Sequence, residues 1–272
     1  MILAKIISFA NQKGGVGKTT TVHEVGELLA GKFDKRVLLI DNDPQGSLTQ
    51  IKADIHQIID SHAPTMTEVY LGAATLKDII IPVKDSDGKV KPNLDLAPTT
   101  LTLSDAELNL VNATLRELIL EKALAPVKDS YDYILIDCPP SRGLLTVNAL
   151  ASSDYVIVPV QAEYQALLGM QLLKNTVKST QSVINSNLKV AGYVLTMVSR
   201  TNHSKEVSEE VKKDIYDVIG SIPRAVDVAD AEVANLSVVD YNPDNKAGTA
   251  YLELTRKIME LGDNHGEETS TN

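Results

Sequence analysis

One cysteine, Cys138, occurs in 272 residues. A single thiol excludes a disulfide framework and any cysteine-only metal or iron–sulfur site built within one chain, and a reducing cytosol is its natural setting. No apolar run approaches the ~20 residues that a bilayer-spanning helix needs. The opening MILAKIISFANQ is too short for a secretory signal and runs directly into a glycine-rich loop. Basic residues are also scarce: 26 Lys and Arg stand against 36 Asp and Glu, a formal net charge of −10. That balance argues against wholesale electrostatic binding to DNA or anionic lipid. The five histidines (His23, His56, His62, His203 and His265) show no metal-ligand spacing, and His23 has no second histidine four residues on, as a zinc-protease helix requires. Internal repeats and dividing linkers are missing too, so the chain reads as one domain over residues 1–261. The polar stretch 262–272 (GDNHGEETSTN) has almost nothing to bury and is expected to be disordered.

What is present is a repeating unit, a short β-branched run followed by a helical stretch. Residues 4–10, 36–41, 131–137, 154–160 and 188–198 read as buried strands. Residues 18–31 read as a helix with Val22, Val25, Leu28 and Leu29 on one face and Gly31 as its stop. The polar, turn-rich 84–93 reads as a surface loop or hairpin. Continuous apolar strands alternating with helices predict an α/β fold, a parallel sheet covered on both faces.

In such a sheet ligands bind beyond the carboxyl ends of the strands, so the residues that follow each strand carry the chemistry. After the first strand comes KGGVGKTT, residues 13–20. Gly14, Gly15 and Gly17, with Val16 between them, let backbone N–H groups turn inward around phosphate oxygens. Lys18 reaches the β- and γ-phosphates, Thr19 can ligate Mg²⁺, and Thr20 continues the helix whose positive end faces the phosphates. Gln12 stands where such loops usually carry glycine, and beside it is an extra lysine, Lys13. A lysine there need not serve its own loop; it can reach a nucleotide held by a facing copy and add charge to the transferring phosphoryl group, as an arginine finger does. After the second strand comes DNDPQGS, where Asp43 can orient an attacking water and Pro44 and Gly46 make a sharp turn. After the third comes DCPPSRG, where Asp137 closes an apolar strand in the Walker B manner, holding Mg²⁺ directly or through water, and Gly143 allows flexibility. Cys138 reads as a small buried residue.

Taken together, KGGVGKTT with its extra Lys13, DNDPQGS and YILIDCPPS resemble the ParA/Soj branch of the ParA/MinD ATPases, the deviant Walker A class. PVQAEYQALLGMQLL (159–173), TMVSRTNHSKEVSEEVKK (196–213) and IPRAV (222–226) extend the likeness over about residues 4–261. The resemblance implies a doubly wound, mostly parallel P-loop fold and an ATP-dependent sandwich homodimer that uses Mg²⁺. It makes Lys13 the signature lysine that crosses to the partner's nucleotide, Lys18 and Thr19 the phosphate and Mg²⁺ ligands, Asp43 the water-positioning aspartate, Asp137 the Walker B aspartate and Asp41 a further Mg²⁺-site carboxylate. Met197, Pro223 and Arg224 resemble the adenine-side wall. Such proteins partition plasmids or chromosomes: the ATP dimer binds DNA without sequence preference, and a centromere-binding, ParB-like adaptor stimulates hydrolysis. A cytoplasmic, nucleoid-associated protein without a membrane partner is expected. The short lead before the first strand matches the type that has no N-terminal DNA-binding extension.

Residues 200–260 hold eight basic and twelve acidic residues and no basic block. The DNA-contact candidates there are Arg200, Lys205, Arg224, Lys246 and Arg256. Dimerisation can gather two weak patches into one. The alternative reading is a MinD-like ATPase positioning a protein or membrane-associated cargo. It needs a C-terminal amphipathic helix with a basic face, whereas YLELTRKIMEL (251–261) is followed by acidic and polar residues and reads as a helix packed on the domain. An iron-protein reductase needs two cysteines per chain, a tyrosine kinase of the same superfamily needs a tyrosine-rich tail, and a non-enzymatic scaffold has no use for Lys18, Asp43 and Asp137 together.

Overall fold

The computed structural model describes residues 4–163, 166–199, 201–214 and 216–262, with the side chains of 166–169, 202, 203 and 205 outside that description. Arg200, the side chain of Lys205 and residues 263–272 of the polar tail therefore lie outside the described residues.

Strand β1 (Lys5–Phe9) leads into helix α1 (Lys18–Gly31), and β2 (Val37–Asp41) follows. Short helices come next: α2 (Ser47–Lys52), α3 (Ile55–Asp60), α4 (Met66–Tyr70) and α5 (Leu76–Ile79). A hairpin of β3 (Ile81–Lys84) and β4 (Val90–Ala97) precedes α6 (Leu103–Leu110), α7 (Ile119–Leu124), β5 (Tyr133–Asp137), α8 (Leu144–Ala151) and β6 (Tyr155–Gln161). The chain continues through α9 (Ala166–Val183), β7 (Lys189–Val198), α10 (Asn202–Lys212), β8 (Val218–Pro223), α11 (Asp227–Val233), α12 (Val238–Tyr241) and α13 (Lys246–Glu260). The sheet order is β3-β4-β2-β5-β1-β6-β7-β8. Every neighbouring pair is parallel except the β3–β4 hairpin.

The strands read as unbroken apolar runs because both faces of the sheet are covered. In β2, Leu38 and Ile40 point into one core while Val37 and Leu39 point into the other; β5 divides Ile134 and Ile136 from Tyr133 and Leu135 in the same way. The expected polar hairpin is present as the β3–β4 connection, where Asp85 N–H donates to Lys89 O. Helix α13 packs as its pattern suggests, burying Ala247, Tyr251, Leu254 and Ile258 in the core that also holds Val22, Val25, Leu28 and Leu29 of α1. Among the described residues, no helix is long and apolar enough to cross a membrane.

Helix α1 departs from a simple amphipathic helix. Its polar residues Thr21, His23, Glu24 and Glu27 are buried as well. His23 is fully enclosed; its Nε2 lies 2.9 Å from Leu236 O, and burial lowers its basicity far enough to keep it neutral. Both Glu24 carboxyl oxygens accept from Val238 N–H, and burial raises its pKa to about 8. Glu27 pairs with Lys52 of α2 and with Lys91 of β4, and both lysines reach Asn235 in the turn between α11 and α12. These bonds fix α1 and α2, the two helices that carry the phosphate loop and the DNDPQGS segment.

Candidate functional site

The register of the central strands assembles the site. β2 and β5 are neighbours with Asp41 opposite Asp137, and β1 lies on the other side of β5 with Phe9 opposite Asp137. Three strand ends thus bring KGGVGKTT, DNDPQGS and DCPPSRG together at the carboxyl edge of the sheet.

The phosphate loop has the backbone its sequence requires. Gly15 and Gly17 take φ of +70° and +79°, the left-handed region that side chains disfavour. Gly17 is the N-cap of α1, and no side chain caps that end. The first-turn N–H groups of Lys18, Thr19 and Thr20 have no intrahelical carbonyl to donate to, and such uncapped helix starts are the groups that bind phosphate oxygens. Lys18 is buried, with its Nζ 3.5 Å from the carbonyl of Lys13. Gln12, the departure from the usual loop, has a local bracing role: its Nε2 donates to Thr176 Oγ1 on α9, and Arg142 donates to its Oε1 at 2.8 Å. Gly143, the N-cap of α8, lies under the carboxylate end of Glu107. A Cβ there would meet Glu107 Oε1 at 1.9 Å.

The two strand-end aspartates are fully buried but differently engaged. Asp41 accepts from Thr49 N–H and Thr49 Oγ1, both at 2.7 Å, and from Asp43 N–H at 3.3 Å. It ties α2 to the sheet, and burial pushes its carboxyl up to about 7. Asp137 accepts from Thr19 Oγ1 at 2.6 Å through Oδ2, while Oδ1 is buried and has no hydrogen-bond partner. Burial, reinforced by the charge of Asp41, holds the Asp137 carboxyl well above the ordinary range. An orphaned buried carboxylate oxygen beside a threonine hydroxyl suits a divalent cation, so the residues fit Mg²⁺. No group of three or more His, Cys, Asp or Glu side chains poised for a metal occurs among the described residues. That does not conflict with Mg²⁺, which is typically held by one or two carboxylates plus substrate phosphates and water. Asp43 is partly exposed at the rim, its Oδ1 accepting from Gln45 N–H.

Two cavities adjoin at this edge. One, of about 390 Å³, is lined by Gly14, Gly15, Lys18, Thr19, Asp43 and Pro140 among others. The second, of about 260 Å³, is lined by Thr196, Pro223, Arg224, Val228 and Tyr251, and the two share Gly17, Thr20, Met197 and Glu232. Met197, Pro223 and Arg224 thus line one cavity beside the phosphate loop. Met197 has φ +51°, an uncommon conformation for a residue with a side chain, near the irregular pairing of β7 with β8. Glu232 was not singled out from the sequence. Its Oε1 is a second buried oxygen without a partner, and its carboxyl is raised by burial and opposed by a hydrogen bond from Thr20. One acidic residue in an acidic helix gives no sequence signal; only the fold turns it towards the cavity.

Among the DNA candidates, Arg224 and Lys246 are exposed and line one open cavity, and neither forms an ion pair among the described residues. Arg256 is exposed ten residues along α13, about 15 Å further up the helix axis, so the three do not form one cluster.

A family model described as an AAA domain matches residues 4–190. A second, for 4Fe-4S iron sulfur cluster binding proteins of the NifH/frxC family, matches residues 129–265. The single buried Cys138 cannot supply the paired cysteines a shared cluster needs. The chain is 42% identical over 267 residues to the sporulation initiation inhibitor protein Soj of Bacillus subtilis, covering 96% of this chain and all of that one. It is 39% identical over 262 residues to the chromosome partitioning protein ParA of Myxococcus xanthus, covering 94% of this chain and 88% of that one. A solved structure described as cobyrinic acid a,c-diamide synthase from Mycobacterium smegmatis, with bound ATP analog and magnesium, superposes with a TM-score of 0.81 at 32% identity, covering 95% of each chain.

Proposed function

This chain belongs to the ParA/Soj family of partitioning ATPases, and from that premise we propose that it is an ATP-driven dimerisation switch that anchors a DNA cargo. Asp137 Oδ1, buried and without a partner beside Thr19 and Lys18, carries the reading. A buried carboxylate oxygen costs free energy unless something binds it, and a nucleotide-bound cation supplies what is missing.

In this reading the first-turn N–H groups of α1 and Lys18 hold the phosphates of ATP. Thr19 and Asp137 hold Mg²⁺, with Asp41 alongside; when bound, the ion neutralises charge on the β- and γ-phosphates. Asp43 orients the attacking water from the cavity rim. Met197, Pro223 and Arg224 flank the base, and Glu232 accepts from the sugar hydroxyls. Lys13 crosses to the nucleotide of a second copy, and hydrolysis loosens the dimer. The ATP dimer binds DNA without sequence preference through exposed cations such as Arg224, Lys246 and Arg256, and a ParB-like, centromere-binding adaptor stimulates turnover. The setting is the cytoplasm, on the nucleoid.

The test is binding to random-sequence duplex with ATP, with ADP and with neither, at two salt concentrations, alongside Lys13→Ala. The expected result is ATP-specific binding that is lost in Lys13→Ala and weakens with salt, with a log–log slope of about −0.9 per phosphate contact. Dimerisation with ATP but no DNA binding in any state would replace this reading with a MinD-like ATPase that positions a protein or membrane-associated cargo.

A further inference from the structure

In the single chain, Lys13 already has a seat. Its ammonium donates to Glu163 Oε2 at 2.9 Å, and no other acceptor is recorded for it among the described residues. Glu163 is held in turn by Gln161, the last residue of β6, whose Nε2 donates to Oε1 at 2.8 Å. The backbone of Lys13 is fixed separately: its N–H donates to Asn11 Oδ1, and the buried Asn11 donates to Pro159 O of the same strand. Both halves of the pair therefore stand on the end of β6. The link from Lys13 to Lys18 uses only the Lys13 carbonyl, so the side chain can leave its seat without disturbing the phosphate loop.

Resting on the dimer reading above, we infer that Glu163 is a gate on Lys13. It parks and neutralises the ammonium in the monomer and gives it up only to the terminal phosphate of a nucleotide held by a second copy. The side chains are 24% and 49% exposed, so the pair is a weak, salt-screened one that a stronger anion can displace. The terminal phosphate of a triphosphate carries more charge than a carboxylate and would be met in a drier interface, where attraction is larger. A diphosphate ends one phosphate short: its charged terminal group is the β-phosphate, held within its own loop, so nothing stands at the γ position for the facing lysine to reach, and the lysine stays with Glu163. The gate also withholds the attraction of Lys13 between two chains that each carry a net charge of −10.

Sedimentation of the full chain, with a slowly hydrolysed ATP analogue and with ADP, reads the gate. Two pairs open per dimer, each worth about twofold at this exposure, so Glu163→Gln should dimerise at roughly two- to tenfold lower protein concentration than the parent. The gain should shrink at 0.5 M salt, which screens the pair, and should vanish when Lys13→Ala is also present. Nucleotide affinity of the monomer, measured by calorimetry, should not change. Unchanged or weaker dimerisation of Glu163→Gln, with the parent dimerising normally, would overturn the gate alone. A parent that stays monomeric with the analogue would overturn the dimer reading and the gate with it.

Discussion

Two groups of buried charge flank α1, and they are completed differently. Along the body of the helix, Glu27 is paired with both Lys52 and Lys91, and each lysine also donates to Asn235. At the N-terminal end, Asp137 keeps one oxygen with no partner and Asp41 is raised by burial. Both groups carry the desolvation cost of buried ions. The first offsets it within the chain and so holds helices in place. The second leaves it open, as a site that depends on a ligand does. The difference lies in the carboxylates: Glu27 is paired, whereas Asp137 and Glu232 each keep a buried oxygen without a partner, and so does the ring nitrogen Nδ1 of His23 on α1.

The largest expected effect comes from opening the closed group. Lys52→Ala leaves Glu27 to Lys91 alone and should lower stability by about 3 kcal/mol in denaturant unfolding, while nucleotide affinity of the folded fraction stays within about twofold. A variant as stable as the parent would mean that the cluster contributes nothing net.

Neutralising the open group should do the reverse. Asp137→Asn keeps an acceptor for Thr19 Oγ1 and removes a buried charge. Its nucleotide-free form should be at least as stable as the parent, yet Mg²⁺ should no longer strengthen ATP binding, a loss of about tenfold or more by calorimetry with and without the ion. Retained Mg²⁺ enhancement would show that the orphaned oxygen has no part in holding the cation.

The smallest effect sharpens the comparison through pH. Burial holds Glu24 at about 8, so the folded chain keeps a proton that the unfolded chain releases near 4.5. That contribution is complete below pH 4.5 and is lost as pH rises through 8. His23 has the opposite sign, with a pKa held below 6.5, and it acts only below that pH. Between pH 6.5 and 8 the parent should therefore lose on the order of 1–2 kcal/mol through Glu24, and Glu24→Gln should flatten the curve. An equal slope in both proteins would assign the pH dependence elsewhere.

The sequence made a large part of this molecule legible. Periodicity placed α1 at residues 18–31 and five of the strands within a residue or two, because those segments are buried on both faces and their composition reports it. It was weakest from residue 47 to 130, where α2 to α7 are short and none sustains a period long enough to read. β8 escaped because its burial is partial.

For the candidate site, local chemistry singled out the loop residues 13–20 with Asp43 and Asp137, and the family resemblance added Asp41. Glycines at positive φ, a lysine before a helix and aspartates that end apolar strands are signals carried by neighbours in the chain. What only the tertiary structure decided is which of these groups is complete. Strand register set Asp41 beside Asp137, the α11 segment turned Glu232 into the cavity, and the end of β6 gave Lys13 its carboxylate. Those partners lie some 90 to 210 residues apart in sequence, and nothing in a residue's own neighbourhood records which distant atom will satisfy it. The physical reason is that desolvation falls on each group locally, while the hydrogen bond or ion that offsets it arrives across the fold.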